Sequence, residues 1–394
     1  MPFVSKRLVI STAFALITSL SLVAQQTGQI EPMKLLAPGI GWRSTGDRLF
    51  WTTDDGATWK NITPKLNHKQ QRILSVFFLN TSTGWVLLHC GDGRDVVADD
   101  TCFELAATTN GGESWSITHE KIAEPFSREQ LEDGVAFSGT NWLEFVDERH
   151  GWQLLTITTN AANLSNGEML RTADGGKTWT PTKETPTANQ FHFINSKDGW
   201  IASTDDQLLY VTRDGGDSWQ PVSLPAVSAT TPNYRITYDL PLFVDERHGY
   251  IFVRYVVETT ATSTLTTSVF FHTADGGRTW KEERTIPRRP EEYFLDSSGS
   301  LLVINVKGQT VAIKQGTASS PPPETRLSFY LPAERTIQAE GTEISLDRSP
   351  NLFSFVNPRE GWILRNGRLL ATSDSGNTWK DITPQPDMPP AVSY

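Results

Sequence analysis

The sequence has little cysteine, histidine or positive charge. Two cysteines and seven histidines occur in 394 residues, and neither type shows the spacing of a zinc site. No glycine-rich phosphate loop or dinucleotide fingerprint is present. The 35 Lys and Arg against 45 Asp and Glu leave a formal net charge of -10, which disfavours a broad electrostatic grip on nucleic acid. We therefore expect no metal, no cofactor and no nucleic-acid partner.

Long hydrophobic runs are also scarce, and the chain has one, at residues 8–24. Lys6 and Arg7 precede this run, no acidic residue interrupts it, and Ala24 provides a small residue for cleavage. These features predict a signal peptide over residues 1–24 and a secreted or periplasmic protein, with an uncleaved anchor as the alternative. No later run approaches this length, so we expect no membrane span in the mature chain.

The two cysteines, Cys90 and Cys102, flank a polar stretch. In the oxidising compartment that export implies, they are predicted to form a disulfide. Closing so short a loop is worth about 2–3 kcal/mol in the chain-entropy description. A metal or redox pair is the alternative, and no nearby histidine cluster supports it. Residues 91–100 offer several acidic side chains for calcium, but the spacing fits no known calcium loop, and an ordinary solvated insertion is favoured.

Tryptophan, in contrast, is abundant, and 11 of the 13 tryptophans fall in two repeated phrases. The first phrase, Thr-x-Asp-x-Gly-x-Thr-Trp with Asn or Ser variants, occurs six times. Its Asp or Asn, Gly and Trp positions are Asp54, Gly56 and Trp59; Asn110, Gly112 and Trp115; Asp174, Gly176 and Trp179; Asp214, Gly216 and Trp219; Asp275, Gly277 and Trp280; and Asp374, Gly376 and Trp379. A ring that recurs at one place in every repeat is a packing element far more often than a ligand platform.

The second phrase precedes the first in each repeat. It consists of a Phe, an apolar residue, an Asn or Asp, and then a Gly followed by an aromatic residue. Five copies begin at Phe78, Phe145, Phe193, Phe243 and Phe355, and Gly41 with Trp42 is a partial sixth. The apolar run, polar turn and Gly-Trp predict a hairpin. In the first phrase, a carboxylate that accepts backbone N–H bonds and a glycine with positive φ predict a second tight turn. Each repeat is therefore a four-stranded antiparallel unit.

Such units must bury two apolar faces, and a closed ring does this without long exposed edges. The interval from Thr273 to Thr372 is longer than the others and predicts a seventh repeat that has lost both phrases. The sequence thus predicts an all-β, seven-bladed β-propeller formed by residues 25–394, with six or eight blades as alternatives. The predicted blades lie near residues 33–63, 72–118, 140–182, 189–223, 238–283, 290–316 and 350–383, with an elaborated connection at 317–349.

The six turns resemble the Asp-box, or BNR repeat. Their pairing with a Gly-Trp strand is most similar to the photosystem II assembly factor family called Ycf48 or HCF136, over about residues 33–383. This resemblance implies a seven-bladed, exported, non-enzymatic propeller that binds partner proteins during assembly. Sialidases, sortilin-type receptors and xyloglucan-cleaving glycosidases also carry Asp-boxes, and relatives occur in bacteria without photosystems.

Two turns, at residues 147–150 and 245–248, look like acid–base clusters because each holds Asp, Glu, Arg and His. The equivalent turns at residues 80–83, 195–198 and 357–360 carry other polar residues, so turn formation explains them better than catalysis. Sialidase chemistry, as the resemblance would imply, needs an Arg-Ile-Pro-like strand, which the sequence lacks. A glycoside hydrolase that uses two carboxylates stays open, because only geometry identifies such a pair.

The function that the sequence favours is an exported, non-enzymatic propeller scaffold that binds a protein partner, with no catalytic residues. Insertions at residues 90–102, 120–134, 160–167 and 222–234 are the candidate contact regions, because loops on one face of a ring commonly form its working surface. A carbohydrate-binding or glycoside-hydrolase propeller is the alternative, with a glycan as its ligand.

Overall fold

The protein is represented by a computed structural model in which all regular structure is β-strand; within the described residues it contains no helix, and so none that could cross a membrane. The described residues are 33–65, 72–89, 103–119, 135–159, 165–188, 190–203, 206–225, 235–260, 263–286, 292–295, 301–304, 310–313, 325–327, 336–339, 342–345, 352–357, 359–365, 367–374 and 378–384.

The strands form eight antiparallel sheets, named A to H in chain order. Sheets A to D contain β1 (Met33–Ala37), β2 (Ile40–Ser44), β3 (Leu49–Thr52) and β4 (Lys60–Asn61); β5 (Arg72–Phe78), β6 (Gly84–His89), β7 (Phe103–Thr108) and β8 (Ser116–His119); β9 (Val135–Phe145), β10 (Gly151–Thr159), β11 (Ser165–Thr172) and β12 (Thr180–Pro181); and β13 (Phe191–Phe193), β14 (Gly199–Ala202), β15 (Leu209–Thr212) and β16 (Gln220–Pro221).

Sheet E has five strands, sheet F four, sheet G two and sheet H four. They contain β17 (Arg235–Tyr238), β18 (Leu242–Phe243), β19 (Gly249–Thr260), β20 (Ser263–Thr273) and β21 (Lys281–Ile286); β22 (Glu292–Leu295), β23 (Leu301–Ile304), β24 (Thr310–Ile313) and β25 (Thr325–Leu327); β26 (Thr336–Ala339) and β27 (Thr342–Ser345); and β28 (Leu352–Phe355), β29 (Gly361–Arg365), β30 (Arg368–Thr372) and β31 (Lys380–Asp381).

Every four-stranded sheet is a meander in which each strand pairs with the next along the chain. In sheet E, β17 and β18 both pair with β19 and together replace a single first strand. The fourth strand of sheet F, Thr325–Leu327, lies beyond residue 316, where the sequence placed the end of that blade, and the hairpin of sheet G follows it. Several four-stranded antiparallel sheets in series are consistent with a β-propeller.

The first strands of neighbouring sheets approach one another, as β5 and β9, β9 and β13, and β1 and β28 do. The sheets therefore contact one another through their first strands. We call the group formed by β1, β5, β9, β13 and β28 the hub. The apolar core lies between the sheets. Separate clusters join sheets A and B, B and C, C and D, and D and E, and another joins H and A.

Stacked aromatic rings make the contact between sheets. Trp85 of sheet B stacks on Phe145 of sheet C at 3.7 Å between ring centroids, and Trp152 of sheet C stacks on Phe193 of sheet D at 3.6 Å. Each such Phe also lies against the glycine of its own sheet; a Cβ on Gly151 would come within 2.5 Å of the Phe145 ring. The Gly-Trp phrase is thus a packing requirement, because glycine leaves room for the Phe that the preceding tryptophan covers.

The first sheet packs against the last. The Trp59 indole donates to the Ile382 carbonyl at 2.7 Å, the Leu35 backbone N–H donates to the Ser354 hydroxyl at 3.0 Å, and Arg43 donates to the Gly367 carbonyl at 2.6 Å. Residues more than 300 positions apart are thus held by direct hydrogen bonds.

Candidate functional site

The meander gives the sheets two different ends. The turns between first and second strands and between third and fourth strands lie at one end, which we call the box end because it carries the Asp-x-Gly phrase. The connections between second and third strands, and those that lead from one sheet to the next, lie at the opposite end, which we call the loop end. Any site must be built at one of these ends or at the hub.

At the box end, the acidic residue of the first phrase is bonded within its own turn. In sheet C, Asp174 Oδ1 accepts the Thr172 hydroxyl at 2.9 Å and the Thr178 N–H at 2.9 Å, and Oδ2 accepts the Thr178 hydroxyl at 2.7 Å. The Thr172 hydroxyl oxygen accepts the Gly176 N–H at 2.9 Å. Related networks form around Asp54, Asn110, Asp214, Asp275 and Asp374.

Two consecutive residues have positive φ in each of the five turns that the structure describes completely, those of sheets A to E. The glycine of the phrase does so, with φ of 88° at Gly176, and so does the residue before it, with φ of 80° at Gly175. Sequence reasoning considered the first position and missed the second. The signal was available, because Gly111, Gly175, Gly215 and Gly276 precede the phrase glycine in four of the six copies. In sheet A, Asp55 holds that conformation without being glycine, with φ of 55°.

These hydrogen bonds keep the turn carboxylates ionised. Burial raises the pKa of Asp174, but the bonds from Thr178, Thr172 and Lys177 outweigh it and lower the pKa to about 2. Burial also raises the pKa of Asp275, but the hydrogen bonds from Thr279, Thr273 and Arg278 together outweigh it and lower the pKa to about 2. An acid that stays ionised and has both oxygens occupied is a poor proton donor and a poor nucleophile.

The turns between first and second strands use their acids in a similar way. Asp147 Oδ1 accepts the N–H groups of Arg149 and His150, both at 2.7 Å, and Oδ2 contacts His150 Nδ1 at 2.8 Å. Asp245 contacts the equivalent Arg247 and His248. Both clusters that resembled acid–base machinery are therefore self-capped turns. Asn80, Asn195 and Asn357 occupy the same position with the same backbone bonds.

The two kinds of turn are also bonded to each other. In sheet C, the Gly175 N–H donates to the Arg149 carbonyl at 2.9 Å. The equivalent bonds are Asp55 to Gly39, Gly111 to Ser82, Gly215 to Lys197 and Gly276 to Arg247. The tryptophans of the second strands extend this network to the next sheet, because Trp85 donates to the Gly175 carbonyl at 3.1 Å and Trp152 to the Gly215 carbonyl at 3.0 Å. At the box end, these tryptophan bonds link sheet B to sheet C and sheet C to sheet D.

Tryptophans of the first phrase close the gaps between sheets. Trp115 donates to the Ile62 carbonyl of sheet A at 2.7 Å, as Trp59 does to Ile382. Trp179 donates instead to Gly176 of its own turn at 3.2 Å. Trp280 and Trp379 are buried, and Trp219 is half-buried. Of the predicted site residues, Gly376, Cys90 and Cys102 lie outside the described residues, so the predicted disulfide stays a prediction.

At the loop end, the sheets differ in height. Measured from the box-end glycines, β10 of sheet C has nine residues, β14 of sheet D four, and β19 of sheet E 12. At about 3.3 Å per residue, sheet E rises roughly 25 Å above sheet D. Of the predicted contact regions, residues 90–102 and 120–134 lie outside the described residues, as do residues 160–164 of the region 160–167 and residues 226–234 of the region 222–234. Residues 165–167 belong to strand β11.

At the hub, the structure reveals a polar pair that sequence reasoning missed. Glu144 Oε1 and His192 Nδ1 lie 2.6 Å apart, and the two side chains are only 9% and 6% exposed. Both residues stand opposite a second-strand tryptophan in register, Glu144 opposite Trp152 and His192 opposite Trp200. Lys34 and Ser354 occupy the same register position in sheets A and H. A polar residue between two aromatic ones, as in Phe191-His192-Phe193, was the available signal.

The hub pair is a link between sheets. It joins the first strands of sheets C and D, and it is closed to solvent, so a substrate has no access to it. In the same register position, the Lys34 ammonium lies 5.8 Å from the centre of the Phe77 ring of sheet B. Buried charged groups need such partners, because an unpaired charge in the interior is costly. The hub thus adds polar links to the aromatic contacts.

No family model matches the chain, and no curated protein matches it. Among solved structures, YCF48 from Cyanidioschyzon merolae is similar over 83% of this chain and 90% of its own, with 15% identity and a TM-score of 0.40. An ancestral GH74 enzyme is similar over 90% of this chain, with 15% identity and a TM-score of 0.47. An alpha-L-arabinanase of Penicillium chrysogenum is similar over 75% of this chain and 88% of its own, with 11% identity and a TM-score of 0.36.

The chain covers 46% of the GH74 enzyme and so spans about half its length. These likenesses concern the fold alone.

Proposed function

We propose that the chain is an exported, non-enzymatic scaffold that binds a protein partner at its loop end. The observation that carries this proposal is the contrast between the two ends. At the box end, the acidic and amide side chains of the described turns are hydrogen-bonded within their own turns, and tryptophan bonds link sheets B, C and D. The loop end instead holds strand ends of unequal height and insertions of variable length. A stiff framework that presents variable loops is the usual design of a binding module.

We propose further that the sheets form a closed ring of seven blades, with sheet F as the sixth blade and sheet G as an elaboration. The hydrogen bonds between sheets A and H support closure, because the ends of the chain meet there. Closure would leave each blade supported on both faces. The hub pair and the stacked rings would then resist deformation when a partner binds.

The state of the carboxylates supports a non-enzymatic role. Six aspartates of the box-end turns accept hydrogen bonds with both oxygens and have a lowered pKa: Asp54, Asp147, Asp174, Asp214, Asp245 and Asp275. They therefore suit neither role in a two-carboxylate glycosidase, which needs one acid with a raised pKa. The one buried carboxylate–imidazole pair of the hub is shut off from solvent. The six turn aspartates and the Glu144 carboxylate are thus engaged in structural contacts.

The test is affinity capture from the native envelope with residues 25–394 as bait. One variant replaces residues 91–101 with a Gly-Ser linker, and a second does the same for residues 121–133. The matched control changes the box end, through Glu148→Ala with Arg149→Ala, two exposed residues. We expect one protein to be retained by the parent and the control and lost, by at least tenfold, from a loop variant.

Two outcomes would overturn the proposal. The first is retention that is unaffected by both loop replacements and lost in the box-end control. The second is robust turnover of a plant or bacterial glycan by the purified chain, which would make it a glycoside hydrolase. Circular dichroism melting of each variant separates lost binding from lost folding.

A further inference from the structure

The inference concerns the contact between sheet H and sheet A, which we call the seam. Sheet A is the first sheet along the chain and sheet H is the last, so the chain does not lead directly from one to the other. Apolar side chains of both sheets pack together there, among them Met33 and Leu35 of sheet A and Trp362 of sheet H. The seam can therefore be compared with the joints between sheets that follow one another along the chain.

Among the described residues, the seam has no parallel stack of aromatic rings. Leu35 stands opposite Gly41 in register, whereas a phenylalanine stands opposite the corresponding glycine in sheets B, C, D, E and H. Trp362 lies against Gly41, and its ring meets Trp59 at 5.8 Å between centroids with a tilt of 56°. The joints between sheets B and C and between sheets C and D have near-parallel stacks at 3.7 and 3.6 Å.

The seam also buries a positive charge. Arg43 of β2 is 7% exposed, and its Nη2 donates across the seam to the Gly367 carbonyl at 2.6 Å. Its Nε and Nη1 are buried and have no hydrogen-bond partner in the described part of the chain. Burial lowers the pKa of Arg43, and the negative charge of Asp381 opposes that effect. The Asp381 carboxylate is itself bonded to Arg368, at 2.8 and 2.6 Å. A buried guanidinium with two unused donors is costly.

The other sheets show what this position in the fold requires. The residue after the Gly-Trp or Gly-Tyr pair is buried in all six sheets that carry the pair. It is apolar in four of them, as Val86, Ile201, Ile251 and Ile363. Sheet C has Gln153 there, whose Nε2 also has no partner among the described residues. The fold is therefore satisfied by an aliphatic side chain here, and packing does not require an arginine.

We propose that the seam is the joint between sheets that opens most readily, and that the buried Arg43 guanidinium favours this opening. Opening returns the guanidinium to water, where Nε and Nη1 find partners that the closed seam does not give them. The hydrogen bonds across the seam oppose opening only weakly, because water replaces each of them.

The joints on either side of sheet C gain less from opening. Each would lose a stacked pair of rings. Between sheets B and C, the buried amide of Gln153 carries no charge, so its hydration returns less than that of a guanidinium. Between sheets C and D, the buried Glu144 and His192 are bonded to each other. The proposal concerns a motion of the framework and does not rest on the partner-binding function.

Exchange of indole N–H groups with solvent tests the proposal, because three buried indoles report on three joints. Trp362 donates across the seam to Asp55 at 3.2 Å, Trp85 donates from sheet B to sheet C, and Trp152 donates from sheet C to sheet D. All three side chains are at most 2% exposed. In NMR of residues 25–394 with isotope-labelled tryptophan, we expect the Trp362 indole to exchange at least tenfold faster than the other two.

Substitutions of Arg43 assign the cause. Arg43→Ile gives the seam the residue that three other sheets carry, and Arg43→Met keeps more of the length of the arginine. The Gly367 carbonyl keeps water as a partner in both, because Gly367 is exposed. We expect both variants to hold or raise the Tm and to slow exchange of the Trp362 indole at least tenfold. The matched control Gln153→Ile removes a buried polar group from another joint and should leave Trp362 exchange unchanged.

Several outcomes would overturn the proposal. If the Trp362 indole exchanges no faster than those of Trp85 and Trp152 in the parent, the seam is not the preferred joint. Unchanged exchange, faster exchange or loss of folding in both Arg43 variants would mean that the arginine does not favour opening. Equal slowing by Gln153→Ile would mean that the effect is a general gain in stability. Partner capture is a separate measurement, so the scaffold function stands or falls independently.

Discussion

At the box end, the Asp or Asn side chain of the first phrase bonds within its own turn, and this pattern repeats in sheets A to E and in sheet H. At the loop end, strands of unequal length continue into connections that differ from one sheet to the next. The turns of the box end are alike because their residues meet one geometric demand, that of holding two sheets together. The connections at the loop end escape that demand, and for this reason we propose the loop end as the binding face.

The largest effect should come from removing a ring that the box-end network depends on. Trp152→Ala deletes a fully buried side chain, its stack on Phe193 and its bond to the Gly215 carbonyl. We expect the free energy of unfolding to fall by about 3–5 kcal/mol, measured by urea denaturation. Trp152→Phe keeps an aromatic ring and should cost clearly less. Equal losses for the two variants would mean that stacking contributes little.

Glycine substitutions compare the two ends directly. Gly176 at the box end and Gly46 at the loop end have φ of 88° and 94°, so alanine is strained at both. A Cβ on Gly176 would also come within 2.3 Å of Leu105 in sheet B, whereas a Cβ on Gly46 meets nothing within 4 Å. We expect the free energy of unfolding to fall by about 1–2 kcal/mol for Gly46→Ala. For Gly176→Ala we expect a further fall of roughly 1–3 kcal/mol. If urea denaturation gives the same fall in unfolding free energy for both variants, the proposed difference in packing between the two ends is wrong.

The turn carboxylate gives the next effect. Asp174→Ala removes the acceptor for the N–H and the hydroxyl of Thr178 and for the hydroxyl of Thr172. We expect the free energy of unfolding to fall by about 1.5–3 kcal/mol. Asp174→Asn should lose less, because Asn110 already holds the same turn in sheet B, accepting the Ser114 N–H at 3.0 Å and donating to its hydroxyl at 2.9 Å. An Asn variant as unstable as the Ala variant would contradict this.

Acid should weaken the box end selectively. The folded-state pKa of Asp174 is about 2 against an ordinary value of 3.8, so the unfolded chain takes up the proton first as the pH falls. The stability from this carboxylate is present above about pH 4 and is lost as the pH falls toward 2. Unfolding free energies of the parent and Asp174→Asn should converge across that window. A constant difference between them would show that the carboxylate charge is irrelevant.

The features of the structure that could be predicted from the sequence are those that recur in every repeat. The turns and the Gly-Trp strands recur because they satisfy local geometry, so their strand pattern could be predicted from residues such as Asp174, Gly176 and Trp152. The Glu144–His192 pair could not, because it joins strands of different sheets and occurs once. The fourth strand of sheet F, Thr325–Leu327, lay outside its predicted blade because that repeat carries neither phrase, and the height of sheet E depends on Thr-rich strands that resemble a loop in composition.

The smallest effect on stability should come from Leu208 at the loop end, whose side chain is 38% exposed. It lies in the connection of sheet D, where the Ser203 N–H donates to the Leu208 carbonyl at 2.8 Å, and a serine would keep that backbone bond. We expect Leu208→Ser to change the unfolding free energy by less than about 0.5 kcal/mol. Lys197→Ala, an exposed change at the box end, is the matched control. Leu208→Ser should weaken partner capture and Lys197→Ala should not. If Leu208→Ser instead costs stability as a core substitution does, the loop end shares the packing of the box end, and the contrast on which the binding face rests is lost.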